Sequence, residues 1–354
     1  MEPAGAERRR VAVVVFNLGG PDSLGAVQPF LFNLFSDPAI ISLPTIARLP
    51  LAAFIARVRN GLAKASYARI GGRSPLLPET EAQAGALQAK LSVRATESEV
   101  KCFVAMRYWM PFARETARAV EAFQPDEVVL LPLYPQFSTT TTQTSLRQWT
   151  SVYRGPGRVR SICCYPTTKG LVEAHAAKIR EAWEQAGQPA GVRLLFSAHG
   201  LPLQVIDRGD PYQDQVEATA AAIAKALGPQ WSDWRVCYQS RVGPLRWLGP
   251  STLEMIEAAA DDGLGVVIAP IAFVSEHVET LVELDHDYAE KAAVLDCAPY
   301  IRVPALGVQA EFIEGLAQLV TDALARAEGT ASGSAHVCAV QWRQCPVRRS
   351  EVAA

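Results

Sequence analysis

Runs of consecutive apolar and β-branched residues alternate with helical stretches along most of the chain, and this alternation constrains the fold more than any other feature. Strand candidates are residues 11–16, 101–105, 127–133, 158–164, 192–197, 234–239, 265–274 and 300–303. Helix candidates between them include 79–91, 112–123, 170–185, 212–227, 252–261 and 310–325. A strand that is apolar at successive positions, rather than at every second one, is buried on both faces. Strand–helix alternation then predicts an α/β protein built on parallel sheets flanked by helices. The 354 residues suit two Rossmann-like domains, each with a sheet of about four strands. The expected division is 8–166, 167–328 and an irregular, cysteine-bearing tail at 329–354.

Composition mainly excludes. A net charge of −2 gives no argument for nucleic acid, and 49% apolar with 20% charged residues is an ordinary soluble balance. Residues 1–10 lead into a short strand with no small-residue cleavage pattern, so no secretory signal is expected. Seven cysteines then read as cytosolic thiols. Residues 28–59 are strongly apolar, but Asp37, Arg48, Pro38, Pro44 and Pro50 interrupt them, and a spanning helix needs about 20 unbroken apolar residues. Two readings stay open: a buried loop-and-helix region, or an exposed apolar lip that takes a greasy ligand or touches a bilayer.

The chemistry gathers at strand ends, where open parallel sheets bind ligands. The run 192–197 leads into His199-Gly200-Leu201-Pro202, a turn that holds an imidazole at the sheet's edge. The run 266–274 leads into Glu276, His277 and Glu279. At the 100° per residue of an α-helix, Glu276, Glu279, Glu283, His286, Asp287 and Glu290 fall on one arc, opposite Leu281, Leu284 and Tyr288. Such a stripe is either a solvated acidic face or a path for cations and protons; stacked like charges favour the second, because protons or cations relieve their repulsion. Aromatic and cationic residues follow other strands, at 105–109, 131–138 and 238–247, as a flat anionic ligand would need. Residues 17–23 carry glycines after a strand but match no nucleotide fingerprint.

Seven motifs in order make the chain resemble the ferrochelatase family over about residues 11–325: NLGGPDS (17–23), YARIGGRSPL (67–76), AMRYW (105–109), LPLYPQFS (131–138), FSAHGLP (196–202), YQSRVGPLRWLGPST (238–252) and PIAFVSEHVETLVELD (270–285). The resemblance implies two Rossmann-like domains around a porphyrin cleft, and insertion of Fe2+ into protoporphyrin IX to give protohaem. It implies that His199 and Glu279 are the central pair, with His277 and Glu276 beside them. Glu283 and Asp287 would continue a metal path that begins at His199 and Glu279; which of that pair binds iron and which takes protons stays open. Leu18, Arg107, Tyr108, Tyr134 and Trp247 would line the cleft, and Arg59 and Ser74 would meet the propionates. The 28–59 stretch becomes the cleft's lip, and the protein is expected in the cytoplasm or peripherally at the inner membrane face.

No cofactor is required beyond substrate Fe2+, but some family members carry a [2Fe–2S] cluster on four cysteines. By the resemblance Cys164, Cys338 and Cys345 are its candidate ligands here. Val347 stands where a further cysteine belongs, leaving Cys163 as the remaining candidate. The competing expectations are a chelatase for cobalt or nickel, a porphyrin carrier, and a nucleotide-dependent oxidoreductase.

Overall fold

A computed structural model describes residues 8–241, 243, 245–334 and 338–347. Parts of the 1–10 leader, of the 238–252 motif and of the tail therefore lie outside the described residues. The described residues form nine strands: β1 (Arg9–Asn17), β2 (Ser98–Met106), β3 (Glu127–Pro132), β4 (Arg158–Ile162), β5 (Val192–His199), β6 (Trp234–Gln239), β7 (Gly265–Pro270), β8 (Tyr300–Arg302) and β9 (Gly329–Ala331). They form two sheets, in the orders β2-β1-β3-β4-β9 and β6-β5-β7-β8. Every pairing is parallel, for example Val13 with Cys102 on one side and with Val129 on the other.

Both faces of each sheet are covered, as contiguous apolar strands require. Val11, Val13 and Val15 pack with Leu87 and Leu91, while the alternate residues Ala12, Val14 and Phe16 pack with Val120 and Trp149. In the second sheet Leu194 and Phe196 face one core and Leu195 the other. The strand expected at 265–274 stops at Pro270, which brings no N–H to the ladder. The residues freed from that strand reach the site.

Two details go beyond the expected plan. The first sheet has five strands, because β9 lies outside β4 with Arg160 opposite Gly329, so the tail begins as a strand rather than as irregular chain. The helix Ala310–Ala325 also leaves the second half: its Phe312, Leu316 and Val320 share a core with Val11 and Leu131. It crosses the helix Lys169–Gln185 where two glycines meet. A Cβ on Gly170 would stand 2.6 Å from the Gly315 Cα, so neither position has room for a side chain.

The 28–59 stretch folds as the helices Val27–Phe35 and Thr45–Arg69, the second passing through Pro50. The stretch is neither wholly buried nor wholly exposed. Val27, Phe30, Ala52 and Ala56 are buried, whereas Ile46, Phe54, Val58 and Leu62 are exposed at 88, 65, 62 and 79%.

Candidate active site

A cavity of about 1310 Å³ opens between the two halves, at the carboxyl ends of both sheets. Leu18 follows β1, Arg107 and Tyr108 follow β2, Tyr134 follows β3, and His199 ends β5. Arg59, Ser74, Trp247, His277, Glu279, Glu283 and Asp287 line the same cavity. Glu276 does not reach it.

His199 Nδ1 lies 2.8 Å from Glu279 Oε2, joining the end of β5 to the segment after β7. The Tyr212 hydroxyl donates to the His199 carbonyl at 3.0 Å, which fixes the backbone beneath the ring. Glu279 Oε2 is also 3.6 Å from His277 Nε2. Neither His277 ring nitrogen has a hydrogen-bond partner among the described residues, and its ring centroid lies 4.1 Å from that of Phe273. Buried polar groups are normally satisfied, so this imidazole, without a hydrogen-bond partner and 3.6 Å from the Glu279 carboxylate in the cavity lining, is an exception within the site.

The electrostatics grade along this line. Burial pushes the Glu279 carboxyl up, but the adjacent His199 and His277 outweigh it and hold the group well below the usual carboxylate range. Burial pulls His199 down, and the charges of Glu279 and Glu283 reverse that and raise it. Burial and the charge of Glu279 push Glu283 up to about 7, although Ser240 and Gln239 donate to it. An ionised carboxylate therefore sits against a readily protonated imidazole, with a carboxyl titrating near neutrality behind them.

The acidic stripe is narrower than its α-helical reading. Glu279–Asp287 is a π-helix, with i→i+5 hydrogen bonding and a wider turn. Residues four apart remain stacked, so Glu279, Glu283 and Asp287 file along the cavity. Spacings of seven and eleven lose phase in the wider turn, and His286 and Glu290 do not line it. Glu276 precedes the helix and is held by Arg302 (2.7 Å), the Thr280 hydroxyl (2.6 Å) and the Ala305 N–H (2.8 Å). Burial pushes its carboxyl up, and the Arg302 guanidinium more than offsets this, so the group is lowered overall. It anchors the loop that presents His277.

Asp37 is a site residue that sequence reasoning passed over as an interruption of the apolar stretch. It is buried, and its Oδ2 accepts from Arg107 Nη2 at 2.6 Å and from the Tyr108 hydroxyl at 2.8 Å. Its partners lie about 70 positions away, so only its charge in an apolar run could have signalled it. Ser240 and Phe273 stood inside recognised motifs. Tyr67, also in one, lines the cavity.

A second cluster is built of sulfur. Cys163 and Cys164 approach to 3.5 Å between Sγ atoms, and Cys338 and Cys345 to 3.4 Å. All four are buried, none of the seven cysteines forms a disulfide, and Val347 packs beside Cys163 and Cys164. Among the described residues no group of three or more His, Cys, Asp or Glu side chains is placed to hold a metal ion.

Comparison with known proteins adds a family. A family model described as Ferrochelatase matches residues 10–324. A Ferrochelatase of Caulobacter vibrioides (strain NA1000 / CB15N) is 61% identical over 341 residues, covering 96% of this chain and 98% of that one. One from Phenylobacterium zucineum (strain HLK1) is 58% identical over 344 residues, covering 97% and 100%. Among solved structures, SirB from Bacillus subtilis, determined with Fe3+, superposes with a TM-score of 0.52 at 11% identity, covering 89% of this chain and 95% of that one. That last likeness is one of fold.

Proposed function

Because this chain belongs to the ferrochelatase family and inserts Fe2+ into protoporphyrin in haem biosynthesis, we propose that His199 and Glu279 carry the insertion itself. The supporting observation is the 2.8 Å contact between them at the cavity wall. Metallation must remove two pyrrole protons while a divalent cation arrives, so opposite charges need separate handling. His199 accepts the protons, since Glu279 stabilises its charged form. Glu283, titrating near neutrality, passes them toward Asp287 and solvent, and the carboxylates of the same file draw in the arriving cation. Glu279 and His277, whose ring nitrogens have no hydrogen-bond partner among the described residues, meet the iron, an oxygen and nitrogen set that suits Fe2+ without retaining it strongly.

Protoporphyrin IX lies against Leu18, between Tyr108, Tyr134 and Trp247, with its propionates toward Arg59 and Ser74. Arg107 is neutralised by Asp37 and shapes the wall. A cleft that fits a bent macrocycle better than a flat one lowers the barrier, because bending exposes the pyrrole nitrogens. Zinc insertion followed by porphyrin fluorescence tests the pair. His199→Ala should retain porphyrin binding and lose at least about a hundredfold in kcat, and an unchanged kcat would overturn the assignment.

Two further assignments belong to this reading. The thiols Cys163, Cys164, Cys338 and Cys345 suit a [2Fe–2S] cluster, which takes four cysteines and two per iron. The support is that the four thiols are buried in two close pairs, at 3.5 and 3.4 Å. No helix among the described residues is long and apolar enough to cross a membrane. The exposed side chains of the helix Thr45–Arg69 instead suit peripheral contact with a bilayer, beside the cleft that a poorly soluble porphyrin enters.

A further inference from the structure

A buried carboxylate behind the cavity wall ties the two halves together. Asp210 lies in the turn between the helices Leu203–Asp207 and Tyr212–Leu227 and is 4% exposed. Its Oδ2 accepts from the Thr139 backbone N–H at 2.7 Å, the Thr139 hydroxyl at 2.7 Å and the Ser138 hydroxyl at 3.0 Å. Its Oδ1 accepts from the Tyr212 backbone N–H at 3.0 Å. Ser138 and Thr139 belong to the first half, after β3, and line the cavity. Tyr212 belongs to the second half, and its hydroxyl holds the His199 carbonyl. One side chain thus connects the wall of one half to the backbone of His199 in the other.

The chemistry of this node admits little else. Two of its donors are backbone N–H groups, one on each carboxylate oxygen, and burial makes either costly to leave unpaired. An asparagine would present one acceptor and one NH2, so in either flip it would aim donor at donor. The turn is also pinned from behind: the Gly209 carbonyl accepts from the Gln344 N–H at 3.0 Å. Gly209 has φ +91°, and a Cβ there would stand 2.8 Å from the Gln341 carbonyl oxygen.

We propose that Asp210 is a positioning residue for metal insertion, setting the distance between the Ser138–Thr139 wall and His199 and so the fit of the cleft around the macrocycle centre. The inference rests on the role given to His199 above. A misplacement of about 1 Å in a reacting group can cost about a hundredfold in rate, so a modest opening of this node should appear in kcat.

The test is steady-state zinc insertion by the full chain, normalised to porphyrin-binding sites counted by fluorescence titration. Asp210→Asn should lower kcat by at least about tenfold while the porphyrin KM moves less than about threefold. A merely structural role would lower the number of binding sites and leave kcat per site unchanged, and that result overturns the proposal. Should Asp210→Asn not fold, Tyr212→Phe carries the test, because it removes only the hydroxyl on His199. It should lower kcat by about threefold, and an unchanged kcat overturns the proposal. Where both variants fold, the double variant should be no slower than Asp210→Asn alone, since both act through the same carbonyl; additive losses overturn it. His199→Ala is the control. Its retained activity would show that the reading of His199 has failed, whereas its inactivity beside a fully active Asp210→Asn would sink only this inference.

Discussion

Arg69 Nη1 lies 2.7 Å from Asp287 Oδ1, so the last turn of the lip helix is bonded to the outer end of the file Glu279–Glu283–Asp287. The pair is well exposed, at 38 and 50% for the two side chains, and contributes at most about 1 kcal/mol to stability. If the file carries the cation as proposed, its consequence is functional, because the guanidinium competes for a carboxylate at the mouth of the file. Arg69→Ala should leave Tm within about 2 °C of wild type and lower the KM for the metal. A raised metal KM would show that Arg69 helps deliver the ion instead.

The fold was legible wherever burial alone dictated the sequence. All eight expected strands are present because a strand covered on both faces must be apolar throughout. β9 was illegible: Gly329-Thr330-Ala331 has no apolar run and is a strand only through its place beside β4. The lip helix was obscured by Pro50, which sits inside it. In the site, the file was legible as a four-residue spacing, while its π-helical turn was not, since no local composition distinguishes i→i+5 from i→i+4 bonding. Asp37 and Asp210 illustrate the larger limit. Each is defined by partners about 70 residues away, and no local window shows such a charge to be satisfied.

Acid sensitivity should have an identifiable source in His175. This residue lies on the helix Lys169–Gln185, is 2% exposed, and its Nε2 has no hydrogen-bond partner among the described residues. Burial pulls its pKa down to about 3, whereas an unfolded histidine titrates near 6.5. The unfolded chain therefore binds more protons between those values, and stability falls as pH drops from about 6.5 toward 3, by an amount on the order of 4 kcal/mol across the window. His175→Leu should shrink the difference in Tm between pH 7.5 and pH 5. An undiminished difference would place the acid sensitivity elsewhere.

The sulfur cluster makes a visible prediction. Freshly purified protein should be coloured, and Cys345→Ser should bleach it, because a cluster of this type needs four thiolates. Colourless wild-type protein, isolated without oxygen, would remove the cluster from the account.

The lip makes a fourth. Phe54 and Leu62 expose 65 and 79% of their surface, and burying two such side chains in a bilayer is worth about 3–6 kcal/mol. Phe54→Glu with Leu62→Glu should abolish co-sedimentation with phosphatidylethanolamine–phosphatidylglycerol vesicles and leave Tm nearly unchanged. Equal sedimentation of the two proteins would mean that another surface meets the membrane.

The central claim is that the imidazole of His199 and the carboxylate of Glu279 carry the insertion step, while porphyrin binding rests on other residues of the cleft. Paired measurement of porphyrin Kd and zinc-insertion kcat in Glu279→Gln tests it most directly, since the amide keeps the shape and removes the charge. Kd should stay within about threefold of wild type while kcat drops by at least about a hundredfold. A variant that binds porphyrin normally and turns over at the wild-type rate would contradict the account.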